Sequence, residues 1–353
     1  MTGSDRILSR RLLCRRTAHM LLALRTAVAF PAPVRFSRQE EQGASRALRL
    51  RIFTLFETGR LELRYRGKER LRLLHGGQET VLRLSGHDVL LLESREEGLL
   101  VRQLQSGIPV KSLGPEPRVR LRLAPPSSLR DSGASAPEFT LAIPGQIRRE
   151  FRGDLEVRRV GGKLVALLEA DPEELTASVV GAEMNHVKQP EALKAQAVTA
   201  RSFLASHRHR HRREGYDFCD TTHCQFSRGT ATTPQARGAV QATRGQILTY
   251  QGKPLPAYYS AVCDNLLFTA PAGGAYPSRP TFCPSCSRGK RGSAVAGDSH
   301  GHHYGLCQAG CVEMARQGCG YRQILDHFFP ESRLQTALSR WPGKMAVSPS
   351  EMP

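Results

Sequence analysis

The sequence predicts an α+β fold, β-rich at first and then a mixed α/β region with a central helix pair and a β-hairpin. Three observations carry this. Residues 48–125 alternate apolar and polar side chains in short runs, the two-residue period of half-buried strands. At Asp171 the period lengthens to that of a helix. Eight of the nine cysteines, all but Cys14, fall between Cys219 and Cys319, which places special chemistry in the second half.

Residues 1–47 read as a basic leader. Five arginines precede residue 17; an apolar run, Met20 to Leu24, is broken by Arg25, and Ala27-Val28-Ala29 follows. These are the parts of a secretory signal, although a charge inside so short a run opposes insertion. A signal peptide cleaved after Ala29, which would remove Cys14, a disordered basic arm, and a start assigned too early all fit. An exported protein of the periplasm or cell wall is the localisation the first of these implies.

Residues 48–145 form the predicted β-rich part. The runs Leu48–Ile52, Leu61–Tyr65, Val81–Leu84 and Val119–Leu123 are separated by the turn formers Gly76-Gly77, Gly86, Gly107 and Pro115. Their arginines fall on the polar face, where a solvated position is expected. Residues 124–137, rich in Pro and Ser, read as a linker. Strand-like text resumes at Phe139–Ile143, Leu155–Val157 and Leu164–Leu168.

Residues 146–335 form the predicted core of the second part. Asp171-Pro172-Glu173-Glu174 combines an N-cap acid, Pro at the first helical position and Glu at N3, a helix start with a capping box. Leu175, Val179 and Glu183 then share one stripe, an odd place for a carboxylate; a helix-end carboxylate capping a neighbour and a functional acid both fit. Pro190 starts a second helix whose face is Leu193, Ala197, Ala200 and Leu204, ending in His207–Arg213. Gln246–Tyr250, the turn Gln251-Gly252, and Leu255–Ser260 read as a hairpin. Residues 272–300 are loop-rich, helices are predicted at about 308–317 and 321–329, and residues 336–353 read as a flexible tail.

Composition narrows the function. Lys plus Arg number 51 against 32 Asp plus Glu, a formal net charge of +19, so polyanions attract the chain: nucleic acid, acidic lipid or an anionic polymer. Arginine is spread along the whole chain, and no reading helix, RNP motif or complete finger spacing accompanies it, so no nucleic-acid partner is predicted. No stretch reaches the roughly 18 uncharged apolar residues of a membrane span, so no transmembrane span is predicted and a polytopic membrane protein is excluded. The 40% hydrophobic content excludes a wholly disordered chain.

Three blocks carry a family resemblance: LTASVVGAEMNHVKQPEALKAQAVTARS at 175–202, YDFCDTTHCQ at 216–225, and GHHYGLCQAGCVEMARQG at 301–318. Together they resemble the SpoIID/LytB domain, named for sporulation stage II protein D, over roughly residues 48–335 and most strongly over 146–330. The resemblance implies a peptidoglycan lytic transglycosylase acting on peptide-stripped glycan strands, with Glu183 as the catalytic acid and base. Such an enzyme needs one carboxyl, not the pair of an ordinary glycosidase. A non-catalytic, amidase-enhancing cell-wall module is the alternative within the same family, and amidases or other wall-remodelling proteins are the partners it implies. Candidate substrate contacts are Tyr258, Tyr259, Ser260, His302, Gln308, Lys194, Gln196 and Arg201.

The resemblance also implies a zinc-binding loop with Cys219, His223 and Cys224 as ligands; His211, eight residues before Cys219, is the choice for the fourth, with His207 and His209 as competitors, and four protein ligands would make the Zn²⁺ structural. Two thiolates and two imidazoles suit a closed tetrahedral site; a Cys219–Cys224 disulfide or free buried thiols are the alternatives. Cys283-Pro284-Ser285-Cys286 is half of a second site, which Cys307, Cys311 or Cys319 would complete with zinc or with disulfides, unless the thiols stay unpaired. Two places depart from the family pattern. Cys263 is followed by Asp264-Asn265 where a Gly-Gly pair is usual, and His303 stands where Gly is usual. Those glycines would serve a sugar's close approach or a positive φ.

Overall fold

A computed structural model describes residues 47–65, 71–75, 77–122, 138–263, 266–283, 285–286 and 302–336, all within the compact unit Ala44–Pro353. The leader with Cys14 and its candidate cleavage site, the 124–137 linker, Asp264, Asn265 and the tail beyond residue 336 lie outside the described residues. No helix among the described residues is long and apolar enough to cross a membrane.

The alternation folds into two sheets. One orders Phe218–Cys219, Leu48–Ile52, Lys163–Ala170, Asp154–Val160, Arg118–Arg122, Leu71–His75 and Gln78–Leu82; the other orders Ile147–Arg152, Glu138–Ile143, Arg60–Tyr65, Val89–Arg95, Gly98–Gln105 and Ile108–Glu116. Pairing is antiparallel except where Leu50 and Arg51 run parallel to Phe218 and Cys219. The inward side chains of both sheets, Leu50, Leu63, Leu92, Val101 and Leu155 among them, join one hydrophobic cluster. Each such burial contributes about 1.5–3 kcal/mol, and a one-residue slip would turn a strand's whole set outward, so the alternation itself fixes the register.

The outer face is not simply solvated arginine. Glu156 is only 2% exposed and is clamped by Arg49 at 3.0 Å, Arg120 at 2.9 Å and Arg158. Burial by itself would raise its pKa; Arg158, Arg49 and Arg120 overcome that and hold the carboxyl below the ordinary carboxylate range. Part of the arginine excess therefore neutralises a buried acid.

Five helices follow among the described residues: α1 Pro172–Glu183, α2 Pro190–Ser206, α3 Pro234–Ala242, α4 Gln308–Arg316 and α5 Tyr321–Phe328. Asp171 caps α1 by accepting from the Glu173 and Glu174 amides at 2.8 and 3.3 Å. The expected return contact from Glu174 is replaced by ion pairs to Arg152 and Arg237. α2 lies at the centre, packed against the other four helices and the strand Gln246–Tyr250. Its run of small residues, Ala192, Ala195, Ala197 and Ala200, permits approach from every side.

α3 was not expected, although Thr233-Pro234 carries the same signature as Asp171-Pro172; Thr233 caps it through the Ala236 amide at 3.1 Å. The hairpin needs correction. Gln246–Tyr250 does turn at Gln251-Gly252, but only into Lys253-Pro254. Tyr259-Ser260 belongs instead to a parallel pair with Leu306-Cys307, and Gln246–Thr249 pairs on its other edge with Arg333–Thr336. Leu266–Phe268 pairs with Pro280–Phe282, and only the second of these falls inside the region expected to be loop.

Candidate active site and metal-binding loop

Glu183 is the last residue of α1, on the stripe of Leu175 and Val179, which are buried in the sheet core while Glu183 is half-buried. Two residues earlier, Gly181 makes the placement possible. A Cβ there would lie 2.3 Å from Thr232 Oγ1 and 2.9 Å from Thr232 Cα, so only glycine lets the 230–233 segment lie against α1.

Glu183 Oε1 accepts from the Phe226 amide at 3.2 Å and from Tyr259 Oη at 3.4 Å; Oε2 takes no hydrogen bond among the described residues. Burial pushes the Glu183 carboxyl above its ordinary pKa, against the pull of those two donors. The carbonyl end of α1 adds to the cost of charge there. Tyr259 is pushed well up by burial and by the neighbouring carboxylate, so it remains a phenol. Its Oη also reaches Gln225 Oε1 at 3.2 Å, and Gln225 Nε2 donates to the Ala200 carbonyl at 3.3 Å. Gln225 and Phe226 were not singled out from the sequence, although Gln225 closes the YDFCDTTHCQ block.

Of the other expected substrate contacts, the structure brings Ser260 and His302 together, with Oγ and Nδ1 3.5 Å apart. Tyr258 packs against His302 but gives its hydroxyl to His207 Nε2 at 3.1 Å. Lys194 pairs with Glu191 at 2.6 Å and lies over the Tyr321 ring. Gln308 is buried at the start of α4 with no partner for Nε2, and Gln196 is fully buried with no partner for either amide atom, among the described residues. Arg201 requires correction as a substrate contact. It is fully enclosed, bidentate to Glu173 at 2.9 and 2.8 Å, and donates to the Gln246 carbonyl at 3.0 Å. It ties α2 to α1 and the central strand.

His303 explains one departure from the family pattern. Its φ is +57°, so the position does require a left-handed backbone and His303 accepts the strain that glycine would not feel. Gly305 close by has no latitude at all: a Cβ would lie 2.0 Å from the Tyr258 carbonyl oxygen.

The segment 216–225 docks on the first strand through two acids. Asp217 accepts from the Arg49 amide at 2.9 Å; Asp220 accepts from the Phe53 and Thr54 amides at 2.9 and 3.1 Å and pairs with Arg149. The loop so held brings one donor atom each from His211, Cys219, His223 and Cys224 within 4.8 Å of one another. Cys224 Sγ is 3.3 Å from His211 Nε2 and 3.6 Å from His223 Nδ1; Cys219 Sγ is 3.7 Å from His223 Nδ1. A tetrahedral ion about 2.3 Å from sulfur and about 2.0–2.1 Å from nitrogen gives sulfur–nitrogen edges near 3.6 Å, so the four residues fit a metal. Both cysteines are free, and the hydrogen bond from Cys224 draws the Cys219 thiol far below the ordinary range. The competing histidines are engaged elsewhere: His207 with Tyr258, and His209 with Asp217 at 3.0 Å.

A separate cavity on the second sheet, lined by Glu62, Arg64 and His87 among others, includes none of these residues.

Residues 161–250 match the family model described as stage II sporulation protein, SpoIID, a stretch that contains Glu183 and the whole Cys/His loop. An uncharacterized protein of Brachyspira hyodysenteriae is 31% identical over 116 residues, 32% of this chain and 32% of that one. The matched region thus spans about a third of that relative.

Proposed function

From a chain whose residues 161–250 carry a SpoIID domain, we propose a lytic transglycosylase of the bacterial cell wall, cutting the MurNAc–GlcNAc linkage of peptide-stripped glycan strands. The observation that carries this is Glu183: a half-buried carboxyl, raised by burial, inside the matched region. Protonated, it gives its proton to the glycosidic oxygen as the bond to C1 of MurNAc breaks. The carboxylate left behind takes the proton of the MurNAc 6-hydroxyl as that oxygen closes on C1, giving the 1,6-anhydro product and restoring the acid. Tyr259 and the Phe226 amide hold the carboxyl in place through both steps, and their donation to Oε1 leaves Oε2 as the oxygen that meets substrate.

His211, Cys219, His223 and Cys224 would hold a structural Zn²⁺, which supplies a crosslink between the end of α2 and the loop leading to Gln225 and Phe226. Four protein ligands would leave it no open position, so the proton work is assigned to Glu183. The net charge of +19 suits an anionic wall polymer, and such a substrate places the protein outside the cytoplasmic membrane.

The test is mass spectrometry of denuded glycan strands incubated with wild type and with Glu183→Gln. Anhydro-MurNAc products from wild type alone are expected. Equal product from both overturns the role of Glu183. No product from either, with strands still bound, would identify a non-catalytic wall-binding module.

A further inference from the structure

Four cysteines outside the SpoIID match converge on one point. The sulfurs of Cys263, Cys283, Cys286 and Cys307 all lie within 4.8 Å of one another, with Cys286 Sγ and Cys307 Sγ 3.8 Å apart, and none is in a disulfide. Four thiolates around Zn²⁺ at about 2.3 Å have sulfur–sulfur edges of about 3.8 Å, whereas a disulfide draws one pair to about 2.05 Å. We propose that these four residues form a second, closed metal site that takes Zn²⁺ as a tetrathiolate.

The surroundings are built for sulfur. Cys263, Cys283 and Cys307 are at most 1% exposed and Cys286 is half-buried. Cys307 caps α4, its Sγ accepting from the Gly310 amide at 3.4 Å, so a helix N-terminus stabilises negative sulfur there. Gly310 also makes the room: a Cβ at that position would lie 2.6 Å from Cys283 Sγ. The remaining cysteines are excluded by position, since Cys311 Sγ turns to the Ala192 carbonyl at 3.6 Å and Cys319 lies outside the group.

The site has a structural consequence. Cys263 follows the strand Tyr259-Ser260, Cys307 ends its parallel partner Leu306-Cys307, and Cys283 follows Pro280–Phe282. One ion would fasten these three segments together and hold the strand that presents Tyr259 to Glu183. The inference does not rest on the transglycosylase reading, because counting metal needs no activity.

The experiment is elemental analysis of the full chain purified without added chelator, together with X-ray absorption at the zinc edge. Wild type is expected to carry two zinc ions, with an average shell of three sulfurs and one nitrogen, that is six thiolates and two imidazoles over the two sites. Cys286→Ser should carry one ion with an average of two sulfurs and two nitrogens. Cys219→Ser with Cys224→Ser should carry one ion bound by four sulfurs, and Cys311→Ser should still carry two. A wild-type shell of two sulfurs and two nitrogens overturns the proposal without any variant having to fold. So does a disulfide between any of the four in a non-reducing peptide map, or iron in place of zinc.

Discussion

Tyr259 Oη lies 3.4 Å from Glu183 Oε1, and because it also lies 3.2 Å from Gln225 Oε1, one O–H faces two acceptors. The charge on Glu183 decides between them. An ionised carboxylate draws the phenol proton to Oε1; a neutral one, its proton on Oε2, is the weaker acceptor and leaves more of that proton to Gln225. Opposite shifts follow for the two variants. Tyr259→Phe removes a donor that favours the carboxylate, so Glu183 titrates higher and the proposed cleavage persists to higher pH. Gln225→Leu removes the competing acceptor, so the phenol stays on the carboxylate and the alkaline limb moves down. Rate profiles against pH check both, and shifts of the same sign in the two variants would refute the relay.

Glu183 should also cost stability at neutral pH. Its pKa is raised on folding, so the stability it contributes is fully present below the ordinary value of 4.5 and is lost as pH rises through the folded value. Glu183→Gln removes that loss, since an amide oxygen can still accept from Phe226. The variant should therefore unfold later than wild type at pH 7, by about 1 kcal/mol, and match it near pH 4. Urea denaturation at the two pH values measures the difference.

His207 works in the other direction. Burial depresses it from 6.5 to about 4, so it is neutral in the fold, with Nδ1–H toward the Phe203 carbonyl and Nε2 accepting from Tyr258. Its contribution is present above pH 6.5 and is lost as pH falls toward 4. His207→Gln should flatten the stability curve over that window, which thermal melts across the range would show.

The helices α1 and α2 were legible because their signals are local: Asp171-Pro172, Pro190 and the apolar stripe all act within a turn or two. The Cys/His loop was legible for the same reason, three of its four clustered residues lying within six positions. What was missed is nonlocal. Tyr259-Ser260 pairs with Leu306-Cys307 across more than forty residues, and nothing in either stretch names the other. That pairing is also what brings Cys263 to Cys307, so the fourth thiol of the second cluster could not be chosen from spacing. Asp217 and Asp220 find their amide donors on the first strand and just after it, more than 160 residues away. Arg201 misled for a different reason: a motif marks positions that matter without saying whether they touch a ligand or hold two helices together.

That helix clamp gives a direct test. Arg201 and Glu173 are a buried bidentate pair at 2.9 and 2.8 Å, and removing one partner strands the other charge. Arg201→Met should lose about 3–5 kcal/mol, while Arg201→Met with Glu173→Gln recovers much of that. Activity lost from Arg201→Met without loss of stability would return Arg201 to the substrate site.

His303 and Gly305 place opposite demands on the same turn. At φ +57°, His303 has about 1–2 kcal/mol of backbone strain that glycine lacks, but glycine adds about 0.5–1 kcal/mol of unfolded-state entropy. His303→Gly should therefore be neutral or stabilising by up to about 1 kcal/mol. Gly305→Ala meets both a φ of +74° and a contact of 2.0 Å with the Tyr258 carbonyl oxygen. Backbone must move there, and the backbone that moves carries Tyr258 and Tyr259, so this variant should lose several kcal/mol and also disturb the pH profile set by Tyr259. Equal melting temperatures for Gly305→Ala and wild type would show that the turn is not built as described.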